Sequence, residues 1–302
     1  MLQNKLIISF MESQADPSQA DPSVLRTALP AFIMLEMPNT KVVNRFSKLA
    51  TTGLLTLLLA VLSTWLAFTP PGLDGKLHAA GYSVCHQLDT HSYEIGGVVL
   101  PLCARCTGTF LGLFISLTYL STRGKRSGFP SKPKIAVLVL FFLFFAVDGI
   151  NSTLAVIPGL SLLYEPSNLL RLSSGFLMGI TLANLVMALW NQTLWADSDP
   201  TPLLREWKQI GLLIAICAAA GALIIADIDF LYYPVAILSV AGIFMVLSMV
   251  YSLLWTIILK QENTLHLSRD GLRIFIMGIT TAILQIGAID LLRYSLSGTW
   301  YF

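Results

Sequence analysis

The chain has 302 residues, of which 55% are hydrophobic and only 12% charged, with a mean hydropathy of +0.72 and a net charge of +2. A water-soluble globular domain carries about 25% charged residues, so this composition excludes one and indicates an integral membrane protein. The small net charge leaves no footprint for nucleic acid, and four cysteines are too few for a disulfide-stapled secreted scaffold.

Residues 1–45 differ in composition from the rest and hold two consecutive copies of Gln-Ala-Asp-Pro-Ser, beginning at Gln14 and Gln19. They are expected to form a mobile tail. Met1 to Phe10 lacks a long apolar stretch followed by a small-residue cleavage site, so it does not read as a signal peptide. Leu49 to Phe68 is the first spanning candidate, preceded by Lys41, Arg45 and Lys48 and ended by Pro70-Pro71. Leu73 to Leu102 is too polar to span. Further spans are expected at Cys103 to Leu120, Ile135 to Ile157 (stopped by Pro158-Gly159), Ser167 to Trp190, Gln209 to Ala226, Tyr233 to Leu259 and Leu272 to Leu292. The expected fold is therefore an all-α transmembrane bundle of about seven spans in contact with the lipid bilayer. Its parts are a tail (1–45), a membrane domain (46–190) carrying a polar segment at 73–102, and three additional helices (191–302).

Basic loops stay cytoplasmic, which orients the spans. Ser121 to Lys134 contains Arg123, Lys125, Arg126, Lys132 and Lys134, so the second span should end inside. The N-terminus is then cytoplasmic. Fifteen basic residues fall inside and four outside (Lys76, Arg105, Arg171 and Arg293). The expected location is the cell (inner) membrane of a prokaryote, with Leu73 to Leu102 facing out.

That outer segment carries Cys85-His86-Gln87 and His91, and Pro101-Leu102-Cys103-Ala104-Arg105-Cys106 follows it. Cys103 and Cys106 are spaced to point the same way from the first turn of a helix, where the helix terminus and Arg105 both favour thiolate. With Cys85 they make three thiolates, and His86 or His91 can complete a site for zinc or another thiophilic metal. Two other chemistries fit the same residues. One is thiol-disulfide exchange linked to a membrane quinone; the other is a static disulfide. Cys217 lies mid-span and reads as a small apolar residue.

A second group of polar residues lies within the spans. Asp148 and Asn151 share a face of the third span, and Asn168, Arg171 and Ser174 open the fourth. An ionised group in hydrocarbon needs a partner, and counting about 1.5 Å per residue puts Asp148 and Arg171 at similar depth, so they are expected to pair. Arg105, Asp148, Asn151, Asn168 and Arg171 are expected to surround the thiolate site. A transporter or a structural subunit built on the Asp148 and Arg171 pair is the remaining alternative. Gly108 and Gly112, and Gly175 and Gly179, form small-x-x-x-small patterns that suit close helix packing.

Cys85-His86-Gln87, Leu102-Cys103-Ala104-Arg105-Cys106-Thr107-Gly108, Asp148-Gly149 and Asn168-x-x-Arg171-x-x-x-Gly175 together resemble the signature of a family of predicted prokaryotic membrane proteins, catalogued as a domain of unknown function. The resemblance covers Tyr82 to Ile180. It implies a small helical membrane domain with these polar residues grouped, and it implies no reaction or cofactor. The longer N-terminal tail and the three later helices depart from the family pattern.

Overall fold

A computed structural model describes residues 40–155, 163–266 and 268–300, with side chains described outside 40–49 and 268–270. The chain divides into two compact units, 1–53 and 54–302. Most of the expected tail, and the Pro158-Gly159 stop, lie outside the described residues. The elements are α1 (Thr40–Phe68), α2 (Gly72–Tyr82), β1 (Glu94–Ile95), β2 (Val98–Val99), α3 (Ala104–Ser121), β3 (Arg126–Gly128), α4 (Lys132–Leu154), α5 (Asn168–Leu194), β4 (Asp199–Pro202), α6 (Trp207–Ile225), α7 (Tyr232–Ile258) and α8 (Ser268–Ser297). The all-α polytopic bundle expected from composition is what forms, and α1 already begins at Thr40, inside the segment expected to be tail.

Among the described residues, six helices are long and apolar enough to cross a membrane: α1 over Ala50–Phe68, α4, α5, α6, α7 with the turn before it, and α8 over Gly271–Ser297. Helix α3, expected as the second span, is not among them. Its 18 residues would rise about 27 Å, but Arg105 and its threonines, serines and glycines lower its hydropathy. This helix is instead enclosed by protein, with Leu111, Leu113, Leu117 and Leu120 all buried. Apolar side chains on α4, such as Val139, Leu140 and Leu143, remain exposed, as a lipid-facing helix requires.

Helix α3 packs most extensively against α5, and glycine is the reason. A Cβ on Gly108 would lie 2.3 Å from the Leu172 carbonyl oxygen, and one on Gly175 would lie 2.3 Å from that of Arg105. Gly179 is as tight, its Cβ falling 2.5 Å from the Thr109 carbonyl, so the expected close packing through these small residues is borne out.

Two sets of connections gather at opposite ends of the helices of residues 54–302. At one end β3 pairs in parallel with β4, Lys125 meets Asp197 at 2.7 Å, Asn191 Nδ2 donates to the Arg126 carbonyl at 2.6 Å, and Asn263 N–H donates to the Thr193 carbonyl at 2.8 Å. At the other end lies the polar segment after α1. It does not span, as expected, and folds into short elements of its own. Pro71 precedes the helix α2, and the antiparallel pair β1 and β2 turns through Gly96 and Gly97, whose φ values of 61° and 75° suit a two-residue hairpin loop.

Candidate metal centre

Cys85 follows α2, while Cys103 caps α3 and Cys106 lies in its first turn. Their three sulfurs lie within 4.8 Å of one another. No disulfide joins them, and Cys85 and Cys103 are buried. The spacing expected to aim Cys103 and Cys106 the same way does so, and the fold brings Cys85 to the same point. Cys217 is buried elsewhere in α6.

The backbone is arranged around the Cys85 sulfur. It accepts the Cys103 N–H at 3.2 Å and the Gln87 N–H at 3.5 Å. The second bond requires a sharp reversal two residues after the cysteine, and Gln87 provides it with a φ of 54°, uncommon for a residue other than glycine. The side chain of Gln87 holds that turn, donating to the His78 carbonyl at 2.9 Å and the Pro101 carbonyl at 2.8 Å. Gly81 leaves room for this, since a Cβ there would lie 2.3 Å from the Pro101 oxygen. Arg293 of α8 closes the same loop by donating to the carbonyls of Tyr82 and, at 2.7 Å, Cys85.

His86 sits beside the sulfurs, with Nδ1 4.0 Å from Cys85 Sγ and Nε2 3.1 Å from His91 Nδ1. Hydrogen bonding to Cys103, and then to Cys85, raises its pKa to about 10 against the opposing effect of burial. Burial, reinforced by Arg171, instead lowers that of His91. The two imidazoles therefore divide the roles that sequence left open between them. His86 faces the sulfurs, and His91 faces the far nitrogen of His86.

Asp148 is fully buried, but its ion-pair partner is Arg105 and not the expected Arg171. Arg105 Nη2 and Nε reach Asp148 Oδ2 at 2.6 and 3.0 Å, and Ser174 Oγ donates to the same oxygen at 3.1 Å. Tyr164 donates to Oδ1 at 3.0 Å. Counting residues along helices gives depth alone; α5 packs against both α3 and α4, and Arg105 of α3 reaches Asp148 of α4. Arg171 turns instead to Asn168 Oδ1 at 2.8 Å, and Asn168 Nδ2 in turn donates to the carbonyls of Thr90 and Ser92, at 3.3 and 3.2 Å. Asn151 accepts the Leu163 N–H at 2.9 Å and donates to the Tyr164 carbonyl at 2.8 Å, which positions the Tyr164 hydroxyl. Sequence reasoning missed Tyr164 and the role of Gln87. The only signal for Gln87 was its place beside Cys85 and His86.

Residues 85–185 match the family described as "Predicted membrane protein (DUF2085)". Similar proteins occur in two archaea. An uncharacterised protein of Methanocaldococcus jannaschii is 26% identical over 119 residues, 39% of this chain and 71% of the relative, and one of Methanothermobacter thermautotrophicus is 29% identical over 109 residues, 35% of this chain and 86% of the relative. No solved structure matches. The expected resemblance to a family of predicted prokaryotic membrane proteins is borne out over this segment, which runs from Cys85 through most of α5.

Proposed function

We propose that this is a multi-pass membrane protein whose outward-facing end is fastened by a zinc-type metal ion held by Cys85, Cys103, Cys106 and His86. The observation that carries the reading is the convergence of three sulfurs, from two separate stretches of chain, within 4.8 Å. A disulfide needs two sulfurs. A tetrahedral thiolate site needs three or four that surround one point, and zinc favours Cys3His sets. Further support comes from the amide donors on Cys85 Sγ, since N–H bonds to sulfur favour the thiolate form that binds metal. His91 stands where an imidazole ligand's other nitrogen needs a hydrogen-bond partner, an arrangement that fixes tautomer and ring orientation.

Charge supports the same reading. One divalent ion with three thiolates and a neutral imidazole carries a net negative charge. Arg105 is committed to Asp148, whereas Arg171 is buried with a neutral hydrogen-bond partner, its Nε lacks a hydrogen bond among the described residues, and it lies within electrostatic reach of both Asp148 and Cys103. Arg171 is then the counter-charge of the metal centre. Four protein ligands close the coordination shell, so the ion's role is structural: it ties the segment after α1 to the start of α3.

In this reading the chain crosses the cell membrane seven times, with α3 as an enclosed span and its N-terminus in the cytoplasm. Metal analysis of the purified protein tests the centre. About one equivalent of zinc or another thiophilic ion is expected, lost in Cys85→Ser, Cys103→Ser and Cys106→Ser, with the thiols shielded from alkylation until a chelator is added. Metal-free protein whose thiols react only after reduction would overturn the reading in favour of a disulfide. Dependence of that state on quinone supply would identify a redox pair.

A further inference from the structure

The ion pair with Asp148 leaves one end of the Arg105 guanidinium unused. Nε and Nη2 donate to the Asp148 carboxylate, and Nη2 also reaches the Asp148 carbonyl at 3.0 Å and Ser152 Oγ at 2.9 Å, while Nη1 makes no hydrogen bond among the described residues. The side chain is 19% exposed, and it lines a cavity of about 490 Å³ on the flank of α4, together with Phe145, Ala146, Gly149, Ile150 and Thr153. Gly149 uncovers the free nitrogen. A Cβ there would lie 3.9 Å from Arg105 Nη1 and meet nothing else within 4 Å, so a longer side chain at this position would cover it. Asp148-Gly149, singled out in the sequence, thus has two parts: the carboxylate holds the arginine and the glycine opens it to the cavity.

Nothing in the cavity wall accepts from Nη1. Apart from Arg105 the lining is apolar except for Thr153, whose hydroxyl donates to the Gly149 carbonyl, and Ile150 is 62% exposed as on a lipid-facing surface. The 23 residues of α4 rise about 34 Å against a hydrocarbon core of about 30 Å, so Gly149, five residues from the end of the helix, lies about one turn inside the hydrocarbon boundary. A donor left without an acceptor at that depth is costly, because water is scarce there. Asp148 already balances the arginine's charge, so what is missing is an oxygen, and an ionised oxygen makes the strongest bond to a guanidinium. We propose that this cavity binds a phospholipid, a phosphodiester oxygen accepting from Arg105 Nη1 and an acyl chain running inward past Phe145 and Ala146. A free phosphate would leave the apolar wall uncovered, which favours the lipid as the source. The inference needs the chain to lie in a bilayer and does not depend on the metal.

The test places the full chain in nanodiscs holding equal amounts of phosphatidylcholine and of diacylglycerol with the same acyl chains. Phosphatidylcholine is the probe because its phosphate is ionised while its headgroup is neutral overall, which suits an arginine already paired. Native mass spectrometry reads the lipid that leaves the protein last as collision energy is raised. One charge-assisted hydrogen bond corresponds to a preference of about tenfold for phosphatidylcholine over diacylglycerol. Replacing Arg105 would also break its ion pair, so Nη1 is covered instead. Gly149→Leu should remove most of the preference without lowering the melting temperature, since the pair is untouched and leucine is the better helix former. Leu140→Phe, at an exposed position more than two turns inward on α4, should leave the preference unchanged. Equal retention of diacylglycerol by the unsubstituted chain, an unaltered preference in Gly149→Leu, or an equal loss in Leu140→Phe would overturn the proposal.

Discussion

Asp148, fully buried, accepts four side-chain hydrogen bonds from Arg105, Ser174 and Tyr164, and which cation neutralises it is measurable. Removing one partner of a buried ion pair leaves an uncompensated charge and costs roughly 3 to 5 kcal/mol. Asp148→Asn and Arg105→Gln should each lower thermal stability strongly, and the double variant should recover part of the loss because the two side chains touch. The cycle of Asp148→Asn with Arg171→Leu should show weaker coupling, since Arg171 bonds Asn168 and acts on Asp148 only across space. Strong coupling in the second cycle and none in the first would contradict the pairing. Arg171→Leu should show itself elsewhere, as a loss of metal affinity on the order of 10- to 100-fold if it balances the thiolate charge. Unchanged affinity would remove Arg171 from the centre. The sequence made the participants legible, because ionisable residues in apolar runs stand out, and three cysteines in 22 residues do so equally. It left the pairing hidden: residue counting supplies height along a helix and says nothing of which face turns to which neighbour.

Helix α3 shows what hydropathy alone cannot decide. By composition it falls below the six apolar helices, yet it is the element that α5 grips most extensively and the one that carries Cys103, Arg105 and Cys106. An enclosed helix has no need of a lipid-facing surface. It needs small residues where backbones meet, and those were legible as the paired glycines. Gly175→Ala would push a methyl to 2.3 Å from the Arg105 carbonyl, so α3 and α5 must part, at a cost of about 1 to 3 kcal/mol. Because the displaced carbonyl belongs to the residue between Cys103 and Cys106, metal content should fall together with the melting temperature. Gly211→Ala in α6 is the control: nothing lies within 4 Å of its Cβ, and alanine should gain up to about 1 kcal/mol of helix propensity. Equal effects at the two positions would show that α3 and α5 are not in close contact. The polar segment before α3 was the least legible part. Its order depends on long-range bonds, such as Gly96 N–H to Asp227 Oδ1 at 2.8 Å and Asn168 to the Thr90 carbonyl, that no local pattern announces.

The connections sort into two groups, and charge sorts with them. The end that holds β3 and β4 gathers Lys125, Arg126, Lys134 and Arg205, with Lys134 donating to the Arg205 carbonyl at 2.8 Å. The end that holds the thiols has Lys76, Arg105, Arg171 and Arg293, of which the last three are engaged in the bonds already described. Positive loops resist translocation, so the β3–β4 end should be cytoplasmic and the thiolate end external. Two introduced cysteines separate the alternatives. Leu88 is 42% exposed beside His86, and Thr122 is exposed at the end of α3, so neither change disturbs a buried contact. Cys85, Cys103 and Cys217 are buried but Cys106 is only partly so, and labelling is therefore read as the increase over the unsubstituted chain. A membrane-impermeant maleimide should label Leu88→Cys in intact cells and Thr122→Cys only after permeabilisation. The reverse pattern would put the thiolate centre in the cytoplasm, where a reducing environment leaves a metal site feasible and removes the external redox alternative; labelling of both from outside would mean that α3 does not cross the bilayer and that the seven-span reading fails.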